Sequence, residues 1–182
     1  MFGPNLQGGR VRLAAPTVEM LPTFVAWMSD VEVTRYLNRS EPPTLAQEQE
    51  WFDKVGKSET DLLWVILLGD KPIGTLALHQ ISWRARRAVT GTMLGDKAEW
   101  GKGYATEAQA LRARYAFEEL GLQKLKTEVF AENAASRRAL EKGGYKQYGL
   151  ARREHFRAGR WHDMWLAELL VEDWQGLTQA EA

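Results

Sequence analysis

Between Thr92 and Leu120 the chain reads TMLGDKAEWGKGYATEAQALRARYAFEEL, an extended segment running through a glycine turn into helix-forming residues. The strand before the turn, AVTGTMLG (88–95), and the helix after it, from about Ala105 to Leu120, must be neighbours in space, joined through Gly101 and Gly103. Glycines there let successive N–H groups point into one concavity, and the positive end of the helix faces the same space. Such a nest suits a pyrophosphate held by backbone donors, and Thr106 adds a hydroxyl in the first turn. The same glycines also fit a plain tight turn.

Two nucleotide-binding motifs fail on these residues. A P-loop has four residues between its first glycine and Gly-Lys, then a Ser or Thr for magnesium. Here five residues separate Gly95 from Gly101-Lys102, and Gly103 stands where the hydroxyl belongs. A dinucleotide-binding fingerprint sits on the first strand of a repeating βαβ unit, which this loop does not.

The rest of the chain supplies a sheet. GGRVRLAAPT (8–17) reads as a first strand, with Val11 and Leu13 alternating against Arg10 and Arg12. Thr17 is placed to cap a helix through TVEMLPTFVAWMSD, with Pro22 in its first turns. A second helix is predicted from near Thr44, with Glu48 close to the capping-box spacing. LLWVILL (62–68) is strand-sized, and the turn at Gly69–Pro72 returns the chain into a second strand. KLKTEVF is a strand with Leu125, Thr127 and Val129 on one side, and ENAASRRALEKGG is a short helix. The last two strands form a hairpin through Ala158-Gly159-Arg160. The order β-α-α-β-β-β-α-β-α-β-β gives an α/β (α+β) domain: a mostly antiparallel mixed sheet of about seven strands flanked by about four helices. One domain over 1–182 is expected, with a core of about 8–174 and a tail of about 175–182.

Composition narrows the class. The 182 residues contain no cysteine, which removes disulfides, thiolate metal sites and cysteine nucleophiles. No metal is expected. Lys plus Arg equals Asp plus Glu, 24 against 24, so charge gives no sign of nucleic-acid binding. Neither a leader nor a membrane span is legible, and a cytoplasmic location is expected.

The order MLGDKAEWGKGYATEA … VFAENAASRRALEKGGY resembles the Gcn5-related N-acetyltransferase superfamily, and within it the ribosomal-protein alanine N-acetyltransferase group of the RimJ/RimL type. The resemblance runs from GGRVRL to AELLVEDW. It implies acetyl-coenzyme A as co-substrate and a primary amine as acceptor, by default a protein N-terminal α-amine. A small-molecule amine (aminoglycoside, polyamine or amino acid) and a catalytically inactive acetyl-coenzyme A-binding module are the alternatives. A homodimer is compatible with the family.

Residue by residue, the resemblance lays the pantetheine arm along Thr92, Met93 and Leu94, with the Leu94 amide as donor to the thioester oxygen. It puts the pyrophosphate on Gly101, Lys102, Gly103, Tyr104, Ala105 and Thr106, with Trp100 replacing a basic or amide residue. Asn133 matches the asparagine beside the pantetheine arm, and Arg137 and Arg138 lie near the phosphates. The family tyrosine that reprotonates the thiolate is Leu140 here, and Ser136 fits the RimL-like alternative, an ordinary first-turn serine being its plain reading. A family glutamate on the strand before the loop corresponds to Val89. Another, on the strand after the second motif, corresponds to His155, the candidate base, with Glu154 one register step away and His79 a further candidate. Trp100, Val89 and Leu140 are the departures that keep the inactive module open.

Overall fold

The computed structural model describes residues 1–39 and 41–180. Two short strands, β1 (Leu6–Gln7) and β2 (Arg12–Ala14), lead into α1 (Leu21–Met28) and α2 (Leu45–Lys57). A meander follows: β3 (Leu62–Leu68), β4 (Lys71–Ser82) and β5 (Arg87–Leu94). Helix α3 (Tyr104–Arg114) crosses to β6 (Lys124–Phe130), then come α4 (Ala134–Lys142), the hairpin β7 (Lys146–Arg157) and β8 (Arg160–Leu170), and α5 (Val171–Ala180). The eight strands lie in the order β1-β2-β3-β4-β5-β6-β8-β7. Every neighbouring pair is antiparallel except β5 and β6, which are parallel. The α/β reading holds, with β1 and α5 as the elements the sequence reading lacked. Helix α5 occupies the start of the segment read as a tail.

Local chemistry explains the boundaries. Thr44 caps α2 in a capping box, but the reciprocal partner is Gln47 and not Glu48. Thr17 makes no side-chain cap; a short 3-10 turn, Val18–Met20, precedes α1, and Pro22 sits in the first helical turn. Helix α3 runs on through a wider π-type turn, Tyr115–Glu119, to Gly121, whose φ of +61° ends it. The β7–β8 connection is the two-residue turn Ala158-Gly159, with φ of +49° and +76°, matching the left-handed pair that tight hairpins favour.

Strand β3 shows why its sequence has no polar alternation: residues 62 to 67 are buried on both faces of the sheet. On one face, Trp64, Ile66, Leu76, Leu78, Ala88, Leu111, Leu125, Trp165 and Leu169 pack together with α3 and α5. On the other, Val65 and Leu67 meet Phe24 of α1 and Phe52 of α2. Each fully buried side chain of this size contributes about 1.5–3 kcal/mol relative to exposure. Of the tryptophans, Trp64 and Trp165 are core, while Trp83 and Trp161 are half exposed. Helices therefore clamp the centre of the sheet from both sides, and the parallel pair lies between the two halves.

Candidate active site

Strands β5 and β6 pair through only three residue pairs: Arg87–Lys124, Ala88–Leu125 and Val89–Lys126. Beyond them β5 continues to Leu94 against β4, and β6 continues to Phe130 against β8. The strands part, and a V opens between residues 90–94 and 127–130. The Gly95 amide donates to Ile73 O at 3.0 Å. By antiparallel alternation Met93 and Gly91 bond to β4, while Thr92 and Leu94 turn their amides and carbonyls into the V. One of those groups is already taken: the Trp100 indole N–H donates to Leu94 O at 2.9 Å. Trp100 thus covers the strand's last carbonyl and leaves the Leu94 amide as the open donor.

A guanidinium closes the base of the V. Arg112, on the core-facing side of α3, is fully buried. Its Nη1 donates to Gly91 O at 2.9 Å and to Thr92 Oγ1 at 3.1 Å, and its Nη2 lies 3.5 Å from the Tyr145 hydroxyl. Its Nε has no partner. No ion pair to Arg112 exists among the described residues, and burial pushes its pKa below the ordinary arginine value.

The glycine loop lies at the mouth of the V. Gly101 (φ +74°) and Gly103 (φ +86°) both take left-handed backbone, Gly103 as the N-cap of α3. A Cβ on Gly101 would meet nothing within 4 Å, so the ground in front of this turn is open. Arg10 braces the loop from the turn before β2: its Nη1 donates to Lys102 O at 3.0 Å, and its Nε donates to Glu107 at 2.8 Å. Tyr104, Ala105 and Thr106 form the first turn of α3. The Lys102 ammonium pairs with Glu99 at 2.9 Å, so this residue offers the loop its backbone.

Across the V, Asn133 caps α4 by accepting from the Ser136 amide at 3.2 Å, which fixes Ser136 in the first helical turn. Arg137 does not reach outward: it donates to Ala131 O at 3.1 Å and stacks over Trp165. Arg138 is exposed beside it. Leu140 is core.

A cleft of about 550 Å³ opens on the α1/α2 face of the same strand segment. Its floor is Thr75 and Ala77 of β4 with Gly91, Thr92 and Met93 of β5, and Phe24, Met28, Leu37 and Trp51 form apolar walls. Leu37 is held from the β7–β8 hairpin, where Arg157 donates to its carbonyl. Glu48 is the one carboxylate of the lining among the described residues. Burial raises its pKa, and the charge of Arg39 opposes that shift. His79 also lines the cleft. Its Nδ1 lies 3.1 Å from Asp61 Oδ1, while Asp61 Oδ2 accepts from Ser58 at 2.7 Å. Burial works against ionising Asp61, but the hydrogen bonds from Ser58, His79 and Gln80 outweigh it and hold its pKa low.

His155 sits elsewhere: opposite His162 on the β7–β8 hairpin, its ring stacked on Phe130, and outside the lining of this cleft. Asp163 serves the β7 bulge by accepting from the Arg153 amide at 2.8 Å. The sequence reading missed Glu48, Asp61 and Arg112 as site residues. Arg112 had a signal, a charge on the stripe Ala108, Leu111, Tyr115, where only apolar residues belong.

The sheet is thus parted at its parallel pair, with a glycine nest on one side of the gap and an open cleft beneath it. Residues 10–146 match the family model of the acetyltransferase (GNAT) domain, and the chain belongs to that family. Its co-substrate is acetyl-coenzyme A, and the open Gly101 turn with the unpaired stretch of β5 fits that molecule. Curated relatives bear N-acetyltransferase names. The "Uncharacterized N-acetyltransferase p20" of Bacillus licheniformis is 27% identical over 172 residues, covering 92% of this chain and 96% of the relative. The "Putative ribosomal N-acetyltransferase YdaF" of Bacillus subtilis is 33% identical over 103 residues, 57% of this chain and 56% of the relative. Among solved structures, the spermidine N-acetyltransferase of Vibrio cholerae in complex with CoA and spermine superposes with a TM-score of 0.86 at 20% identity, covering 92% of this chain and 99% of that one; the likeness is of fold.

Proposed function

We propose that this N-acetyltransferase moves an acetyl group directly from acetyl-coenzyme A to the α-amine of a protein N-terminus. One observation carries the reading: Gly91, Thr92 and Met93 are at once the free stretch of β5 in the V and the floor of the cleft. Donor and acceptor therefore approach the same strand from two sides, and no covalent enzyme intermediate is needed.

The bound thioester supplies an activated acetyl carbon. Met93 and Leu94 carry the pantetheine arm, and the Leu94 amide donates to the thioester oxygen as negative charge builds on it. Gly101, Lys102, Gly103, Tyr104, Ala105 and Thr106 hold the pyrophosphate by backbone donors and the positive end of α3. Asn133 flanks the arm, Ser136 protonates the departing sulfur, and Arg138 meets the outer phosphates. Glu48 holds the acceptor's ammonium.

The cleft favours a peptide over a polyamine. Its walls are mostly apolar, and its single carboxylate among the described residues feels the charge of Arg39, whereas a polycation calls for several acidic groups. The ribosomal name of the YdaF relative and the RimJ/RimL resemblance point the same way. Thiol release from acetyl-coenzyme A, measured against N-terminal peptides, spermidine, aminoglycosides and single amino acids, tests this. Release with peptides alone is the expected result, and release with spermidine or aminoglycosides alone overturns the acceptor assignment.

A further inference from the structure

The amine must lose a proton before it can attack, because a primary amine is an ammonium near neutral pH. We infer that His79, oriented by Asp61, is the general base that takes this proton. The inference rests on the transfer reading given above. Four observations support it.

His79 lies on β4 directly across from Val89 and on the face that floors the cleft. Immediately after it the strand breaks register, and Gln80 takes a left-handed φ of +50°. Bulges of this kind re-aim a side chain. The next observation is Gly91. A Cβ there would come within 3.3 Å of His79 Nε2, a tight contact, so the imidazole lies close over β5 at a residue with no side chain to crowd it. Third, the ring nitrogens have different surroundings. Nδ1 faces Asp61, itself anchored by Ser58 and by the Gln80 amide, whereas Nε2 has no partner among the described residues. An ionised carboxylate at Nδ1 fixes the proton there and leaves the Nε2 lone pair toward the cleft. Finally, the other charged groups facing this space are Glu48 from α2 and Arg39 from the α1–α2 connection. Glu48, opposed by Arg39, is suited to holding the ammonium, and His79 to deprotonating it.

Gly91 and Leu94 are separated by roughly 10 Å along an extended strand. The acceptor nitrogen and one bridging water span that distance. One proton passes from the ammonium through the water to His79 Nε2. The freed lone pair forms the C–N bond, the C–S bond breaks with its electrons going to sulfur, Ser136 gives its hydroxyl proton to the thiolate, and the second surplus proton of nitrogen restores that hydroxyl. His79 then returns its proton to solvent, so the net change is one ammonium and one thioester to one amide, one thiol and one proton.

The test uses the full chain with acetyl-coenzyme A and an alanine-initiated peptide, with spermidine as the second amine. H79A is expected to lower kcat by about 100-fold or more, the usual scale for a general base. KM for both substrates and the calorimetric affinity for acetyl-coenzyme A should stay within about threefold, since no binding contact is removed. The acidic limb of the pH–kcat profile should vanish in H79A, and added imidazole should restore part of the rate. D61N should lower kcat through the wrong tautomer while leaving binding intact. An H79A enzyme within tenfold of wild type, with the limb unchanged, overturns the assignment. A loss confined to H155A overturns it in favour of the hairpin histidine. A wild-type protein that binds acetyl-coenzyme A but releases no thiol with either amine removes the transfer reading and the base together.

Discussion

Replacing Arg112 by methionine should leave the fold as stable or more stable while weakening acetyl-coenzyme A binding. The guanidinium is fully buried with no ion pair among the described residues. It makes two hydrogen bonds of good length, 2.9 Å to Gly91 O and 3.1 Å to Thr92 Oγ1. Hydrogen bonds from a charged donor contribute about 1.5–3 kcal/mol each, so these supply about 3–6 kcal/mol. Burying the charge costs several kcal/mol, and the orphaned Nε adds to that cost. The two sides nearly cancel. Methionine keeps the length of the stem, and Gly91 stays in its ladder with Ala77, so no backbone group is stranded. The expected change in unfolding free energy is about 0 to +2 kcal/mol, or about 0–8 °C in Tm for a chain of this size. R112A, which leaves a cavity, should instead lose about 2–4 kcal/mol. Calorimetric melts and denaturant titrations of both variants decide this, with acetyl-coenzyme A affinity measured beside them. KM for acetyl-coenzyme A should rise about tenfold in R112M, the value of one positioned hydrogen bond on β5. A loss above about 3 kcal/mol in R112M would refute the reasoning, because the guanidinium would then be a net stabiliser.

Three more outcomes are expected. Burial raises the folded pKa of Glu48, so the folded state binds its proton more tightly than the unfolded chain, and stability falls as pH rises through and above the ordinary glutamate range. E48Q should therefore melt higher than wild type at pH 8 and close to it at pH 4, while KM for the acceptor rises; equal gains at both pH values would contradict the sign. G101A, at a left-handed φ with open space before it, should cost about 1–2 kcal/mol of stability yet raise KM for acetyl-coenzyme A, whereas G95A, whose Cβ would lie 1.9 Å from the Trp27 ring, should cost about 3 kcal/mol or more. W100F removes the donor to Leu94 O and should lower kcat more than it lowers Tm, read from steady-state kinetics beside thermal melts.

The strands and helices were legible because each obeys a local rule: the apolar run at 62–68, the glycine that ends α3, and the Ala158-Gly159 turn. Strand β1 escaped because two residues carry no period, and α5 because its helical turns follow β8 without a break. The glycine turn was legible for a different reason, since Gly101 and Gly103 take the left-handed backbone that glycine favours, and Asn133, singled out by the resemblance, takes a cap position. The acceptor side was not. Glu48 and Asp61 carry no motif of their own, and the pairing of His79 opposite Val89 depends on strand register. His155 drew attention by its position in the resemblance, but its ring lies against Phe130.

The parallel pair has a kinetic meaning as well. Among the described residues, three residue pairs are the in-sheet link between the β1–β5 half and the β6–β8 half, and that link spans the α3 crossover, much as the β2–β3 pairing spans α1 and α2. Non-local closures of this kind form late, after the nearer hairpins have assembled. A ligand bridging the gap therefore binds across a non-local seam that only three residue pairs hold together. Its binding energy goes into contacts that are absent from a half-assembled sheet, so it slows unfolding more than it speeds folding.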